Sequence, residues 1–325
     1  MFTRFLLLAA LLAPVLGARA TSLAQAEEPV CAEAGQWVLP LRGEAIAADL
    51  LYTTLATRSL ILLGEHHDNA DHHRWQLATI AALAGRRPDI VLGFEMFTGD
   101  AQPVLDRWVH GDLTEEAFLE QVRWDETWGY DAALYLPLLH FARLHRVPMV
   151  ALNVDRSLIR RVAEEGWEAI PTDQRLGIGD PIAASGPYRQ SLAAIYAYKS
   201  RGRHGAAGDR PADDDAESAP SPEEIAGALA DPGFDRFVAA QLTWDRAMAE
   251  ALAAARDSAG GSADALIVGI IGQGHLEHGW GVPRQLEHLG SADAAVLLPM
   301  ARDKACPGLP GTLADAVFVY EPQKR

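Results

Sequence analysis

This chain has little cysteine, few cations for its acid content and no long apolar run, and each shortage removes a class of function. Only two cysteines occur in 325 residues, Cys31 and Cys306. Neither has a Cys or His close in sequence with which to share a metal, which argues against a cysteine-ligated metal module. Lys and Arg number 28 against 44 Asp and Glu, a formal charge of −16. That balance disfavours nucleic acid, whose phosphates call for basic side chains. No segment is apolar for long enough to cross a bilayer as a stable helix, which argues against stable membrane insertion. Reaction signatures are missing as well. There is no H-E-x-x-H, no Walker loop, no G-x-S-x-G and no G-x-G-x-x-G after a strand, so covalent Ser or Cys catalysis has no support.

The first twenty residues read as a secretory signal peptide. Met1 to Arg4 is short and basic, Phe5 to Leu16 is apolar, and Ala18-Arg19-Ala20 supplies an A-x-A cleavage site. Cleavage there would take Arg4 and Arg19 and move the formal charge from −16 to −18. The mature chain, residues 21–325, is expected to be exported and soluble, in the periplasm or outside the cell. An oxidising compartment favours a Cys31–Cys306 disulfide, which would close a very long loop.

With 49% apolar and 22% charged residues the composition is that of an ordinary globular protein. Apolar runs alternate with amphipathic stretches. Ser59–Leu63, Ile90–Phe94, Pro148–Leu152, Ala265–Ile271, Ala295–Leu298 and Ala316–Tyr320 read as strands. Helical spacing marks Asp71–Ala84, Gln102–Val109, Glu115–Val122, Leu136–His145 and Ser157–Glu165. Strands separated by helices imply βαβ units, hence an α/β fold with a mainly parallel sheet and flanking helices. A single domain is expected. An inserted helical subdomain over residues 180–256 holds helices near Ala183–Lys199 and Phe234–Arg256. The Gly-, Pro-, Ser- and Asp-rich stretch 201–223 between them is expected to be a mobile loop.

Two turns share one spelling, Gly64-Glu65-His66-His67 and Gly272-Gln273-Gly274-His275, and each follows a strand. Each therefore delivers an imidazole past the carboxyl end of a strand, the edge where open α/β sheets bind ligands. Glu95 and Asn153 end two further strands in the same way. Glu65, His67, Glu95, Asn153 and His275 are thus expected to form one strand-end site. His66 lies beside it. His73 and Gln76 fall on the apolar face of the helix opened by Asp68-Asn69. Gln241 and Asp245, one turn apart, fall on the apolar stripe of Phe234, Phe237, Val238, Leu242, Met248 and Leu252. Two histidines and a carboxylate (His67, His275 and Glu65) would suit zinc or a similar divalent metal. Without metal, the same groups would suit acid–base chemistry.

The runs Leu62-Leu63-Gly64-Glu65-His66-His67-Asp68-Asn69, Phe94-Glu95-Met96-Phe97 and Ala151-Leu152-Asn153 resemble the ChaN-type haem-binding uptake proteins of the Tiki superfamily. So do residues Ala240 to Ala249, Gly272 to His275 and Gly281-Val282-Pro283-Arg284, in order, over most of the chain from Ile61 to Tyr320. The resemblance implies an EreA/ChaN-like fold, haem as ligand, haem held between two protomers of a homodimer, and haem-uptake components of the envelope as partners. Superfamily branches that use two G-x-x-H motifs in metal-dependent proteolysis, or that hydrolyse esters, imply a second possibility, a hydrolase (protease or esterase). Known members are often lipoproteins, whereas this chain has no cysteine directly after its apolar start. Haem needs an axial ligand and an apolar slot. Tyr188, Tyr196 and His278 are the candidates for that ligand, with Met248 behind them.

Overall fold

The computed structural model describes residues 32–204, 219–258, 265–291, 293–306 and 308–323. The signal-peptide segment and Cys31 lie outside these residues, as do 205–218 of the expected mobile loop. Eight strands form one sheet: β1 (Trp37–Leu39), β2 (Glu44–Ile46), β3 (Leu60–Glu65), β4 (Ile90–Thr98), β5 (Met149–Asn153), β6 (Leu266–Gly272), β7 (Ala294–Ala301) and β8 (Ala316–Tyr320). Their order across the sheet is β2-β1-β8-β7-β3-β6-β4-β5. Every pairing from β8 to β5 is parallel, and only the β1–β2 hairpin and its junction with β8 are antiparallel.

Twelve α-helices connect the strands among the described residues: α1 (Ala48–Leu55), α2 (Ala70–Ala84), α3 (Gln102–His110), α4 (Glu115–Gln121), α5 (Trp124–Thr127), α6 (Ala132–His145), α7 (Arg156–Glu165), α8 (Gly186–His204), α9 (Pro222–Ala230), α10 (Phe234–Ser258), α11 (Val282–His288) and α12 (Arg302–Ala305). The central strands are buried along their whole length because helices cover both faces. Alternation sorts their side chains between two cores. Ile61, Leu63, Leu92, Phe94, Leu266, Val268 and Ile270 pack with α1, α2, α3 and α6 on one face. Leu60, Leu62, Val91, Ile267 and Ile271 pack with Met248, Ala249 and Leu252 of α10 and with α11 on the other.

The six expected strands and the mainly parallel sheet are present, and β1 and β2 join them at one edge. The expected mobile loop 201–223 is corrected at both ends. Residues 201–204 complete α8, and 222–223 open α9 behind a Ser221–Glu224 capping box. Pro222 at the first helical position and acidic residues in the first turn favour a helix start there. The excursion is otherwise helical: α8, α9 and the first half of α10 bury Tyr188, Leu192, Ala193, Phe234 and Val238 in a core of their own.

β3, β6, β4 and β5 stand side by side. The four strands that carry the expected site residues therefore end along one continuous stretch of the sheet edge.

Candidate functional site

Alternation along β3 puts Glu65 on the same face as Ile61 and Leu63, so a carboxylate enters the first core. It is 1% exposed. A buried carboxylate needs partners, and three side chains supply them. His67 Nδ1 lies 2.6 Å from Glu65 Oε1. The Tyr135 hydroxyl, brought by α6, donates to the same oxygen at 3.2 Å. His73 Nε2 is 3.5 Å from Oε2. Burial by itself would raise the Glu65 pKa, but the His67 charge and its hydrogen bond hold it below the ordinary value. Burial likewise opposes a charge on His67, yet Glu65 outweighs it and Glu95 and Asp68 add, so this imidazole is pushed up to about 9. Trp128 and Tyr130 contact its ring at 4.6 and 5.0 Å between centroids.

The second G-x-x-H turn repeats the arrangement with groups from the other face. His275 Nδ1 lies 2.6 Å from Oδ1 of Asp245, which is fully buried on α10. Asp245 Oδ2 accepts from the Tyr188 hydroxyl of α8 at 2.8 Å. Burial opposes the His275 charge, and the Asp245 carboxylate overrides it, so the pKa is raised. Burial and the neighbouring carboxylate push both phenols well above the usual tyrosine range, Tyr135 beside Glu65 and Tyr188 beside Asp245. Both therefore stay protonated as donors. The result is two relays of one design, Tyr135–Glu65–His67 and Tyr188–Asp245–His275.

The first relay closes on Gly272, the last residue of β6. Its N–H donates to Glu95 Oε2 at 2.6 Å. A Cβ on Gly272 would stand 2.9 Å from His67 Cε1, 3.3 Å from His67 Nε2 and 3.4 Å from Glu95 Oε2. The absence of a side chain is thus what lets the imidazole edge and the second carboxylate close on the strand end. Asn153 ends β5 and donates from Nδ2 to the Glu95 carbonyl at 2.8 Å, which fixes β5 against the end of β4. Glu95 lies within electrostatic reach of both imidazoles, since its charge acts on His67 and on His275.

Glu65, His67, Glu95 and His275 are thus brought together, with Asn153 holding backbone beside them. His73 and Gln76 are buried under β3: both ring nitrogens of His73 face oxygens, Gln76 Oε1 and the His67 carbonyl, and Gln76 Nε2 donates to the Leu63 carbonyl. Asp245 is part of the second relay, and Gln241 is buried one turn before it. His66 turns away: its N–H donates to His72 Nδ1 at 2.9 Å, on the side where His72 meets Tyr320. Burial pushes the His72 pKa down to about 2, so that ring stays neutral. Tyr135, Trp128 and Tyr130 were not among the expected residues.

The expected metal site of His67, His275 and Glu65 is corrected. No group of three His, Cys, Asp or Glu side chains among the described residues is placed to hold a metal ion. Glu65 sits behind His67, on Nδ1, and spends its oxygens on histidine and tyrosine donors. Of the expected haem ligands, Tyr188 is 2% exposed with its hydroxyl given to Asp245, and Met248 is sealed in the core. Tyr196 packs on Phe234 and Phe237. His278 stands at the outer end of the second turn, where Nδ1 pairs with Thr312 Oγ1 at 2.9 Å and the ring stacks on Trp280.

Comparison with known proteins adds to this geometry. Residues 51–286 match the family described as haem-binding uptake, Tiki superfamily, ChaN. Among solved structures, one of ChaN of Campylobacter jejuni with cofacial haem bound matches at 17% identity, covering 88% of this chain and 96% of that one, with a TM-score of 0.62. That likeness shows a common fold. A mutant of the erythromycin esterase EreC in its open conformation matches more loosely, at 13% identity over 82% of this chain and 77% of that one, with a TM-score of 0.44. No curated protein sequence matches.

Proposed function

We propose that this chain, which belongs to the haem-binding uptake family ChaN of the Tiki superfamily, binds haem and assists haem or iron uptake outside the cytoplasm. The family match over residues 51–286 carries the reading, and the shared fold with ChaN of Campylobacter jejuni supports it. The donor chemistry fits the group: His278 offers a ring nitrogen on the outside of the molecule, beside the flat apolar face of Trp280. Bound haem would supply an iron centre to be carried. The chain's part is to provide an axial donor and apolar cover. In this reading the signal peptide is removed on export, two protomers close around haem, and envelope components of the uptake route receive it. No described helix is long and apolar enough to cross a membrane. Titration of purified protein with haemin should give a saturable Soret shift, and sedimentation should show protomers pairing as haemin is added. No saturable shift at micromolar haemin would end the proposal.

A second reading, hydrolysis of a peptide or ester, is favoured by the paired Tyr–carboxylate–His relays around Glu95. Such relays orient an imidazole and set its proton affinity, as general acid–base catalysis requires. With no three-ligand metal group among the described residues, the protein's own groups would run that chemistry, imidazolium donors facing Glu95 as the base. Activity on a peptide and ester panel that disappears in His275→Ala would support it. An inert protein, or activity that survives the substitution, would remove it.

A further inference from the structure

Alanine stands at 247, 251 and 254 of α10, a spacing that puts three methyl groups on one face of the helix. The neighbouring stripe, Met248 and Leu252, fills the second core. Where the small face passes the end of β5, a cavity of about 680 Å³ opens between α10, β5, the start of α7 and the turn after β4. That volume is in the range of small-molecule sites. Leu152, Val154 and Ile178 complete its apolar wall, and Leu176 lines it while 58% exposed. A leucine left in water adds nothing to folding, whereas an occupant of the cavity would cover it.

Asp100, Asp155 and Glu250 line the same cavity, and among the described residues no Lys or Arg does. Ionised carboxylates only accept hydrogen bonds. The neutral polar groups add few donors, since Thr98 gives its hydroxyl to Asp100 and Asn153 Nδ2 donates to the Glu95 carbonyl. Asp155 caps α7 by taking the Ser157 N–H at 2.7 Å, and hydrogen bonding from Ser157 holds its carboxyl below the usual carboxylate range. The nearby cations stand outside the lining: Arg246 pairs with Glu250 at 2.6 Å, Arg123 reaches Asp100 at 3.4 Å, and Arg123 and Arg160 act on Asp155. An occupant must therefore bring the donor itself, carried on an apolar body. Haem does not meet that demand. No His, Tyr, Met or Cys among the described residues lines the cavity to hold iron, and the carboxylates would repel its propionates. The cavity touches the strand-end cluster only through Asn153 and is a place apart from the relays.

We infer that this cavity is a binding site for an aliphatic primary amine, its ammonium group among the carboxylates and its chain along the alanine face of α10. The test is calorimetric titration of the full mature chain, without haem, against octylamine, octanol and octanoate, which share a chain and differ in the head. Octylamine should bind saturably, and octanoate about tenfold or more weakly. Asparagine caps a helix as well as aspartate does, so Asp155→Asn removes a charge and keeps α7; it should weaken octylamine about tenfold and leave octanol unchanged. Ala251→Leu fills the cavity and should abolish binding of both, with Tm measured to confirm that the variant is folded. Should Ala251→Leu fail to fold, the comparison of the three heads and Asp155→Asn decide the matter without it. No saturable binding of octylamine, octanoate bound as tightly, or octylamine affinity unmoved by Asp155→Asn would each overturn the inference. None of these outcomes bears on haem uptake, which is read separately by the haemin titration.

Discussion

Glu65 and His67 form a couple whose strength depends on both staying ionised in a buried place. His67 titrates near 9 when folded, against an ordinary 6.5. Its stabilising contribution is therefore complete below about 6.5 and lost as pH climbs towards 9, roughly 3 kcal/mol by linkage. Glu65 is shifted the opposite way, downward from 4.5, so its share is present above that value and lost as pH falls through the folded one. Stability should hence peak in mildly acidic solution and decline through the alkaline range. In Glu65→Gln the His67 pKa should drop back towards the ordinary value, and the alkaline decline in Tm should flatten. Tm measured from pH 6 to 10, with an NMR titration of the His67 ring, checks both. An equal slope in the variant would show that another group carries the dependence. The two histidines and the carboxylates of their strand ends are legible in the sequence because a G-x-x-H after an apolar run fixes where the side chain emerges. Tyr135 is not. A proline suits the first helical turn, so Pro137 suggests a start at Leu136, whereas α6 begins at Ala132 and carries Pro137 inside it. The turn that bears the phenol is the one the proline conceals.

At the scale of elements, β5 is the last strand of the sheet and its outer edge would offer unpaired backbone to another chain. Gln102, the first residue of α3, closes it. Its Oε1 accepts from the Ala151 N–H at 3.0 Å and its Nε2 donates to the Met149 carbonyl at 2.8 Å, as a neighbouring strand would. Gln285 of α11 makes the same pair with the N–H and carbonyl of Ile182, which ties the start of the helical excursion to the sheet layer. Gln102→Ala should cost about 1–2 kcal/mol and increase aggregation on partial unfolding. Chemical denaturation with light scattering measures both, and an unmoved midpoint with no added scatter would count against the edge-closing role. The buried strands are easy to find in the sequence, since helices on both faces make them apolar throughout. β1 and β2 escape because three residues each leave too short an alternation to see. Likewise α9 hides behind a polar start whose Ser221–Glu224 box is visible only once the helix is known to be there.

For the molecule as a whole, the relays draw carboxylates from opposite sides of the sheet, Glu65 from the first core and Asp245 from α10 on the second face. The site therefore reports on both layers at once. A covalent tie between Cys31 and Cys306 would add a constraint of a different kind. Linking positions so distant in the chain would remove on the order of 5 kcal/mol of unfolded-state entropy. Intact mass should rise by two hydrogens on reduction, and Tm should fall by several degrees. Two thiols open to alkylation in the unreduced, denatured protein would show that the pair is not bonded.

β3 is hydrogen-bonded to β6 and to β7, strands made some two hundred residues later in the chain. Loops of that length are slow to close, and a nascent chain that has yielded β3, β4 and β5 still has nothing to insert between β3 and β4. A growing polypeptide thus holds His67 without Gly272 or His275 until its last quarter has left the ribosome. Assembly of the strand-end cluster is thereby postponed to the finished molecule, and a product truncated before β6 would lack half of it.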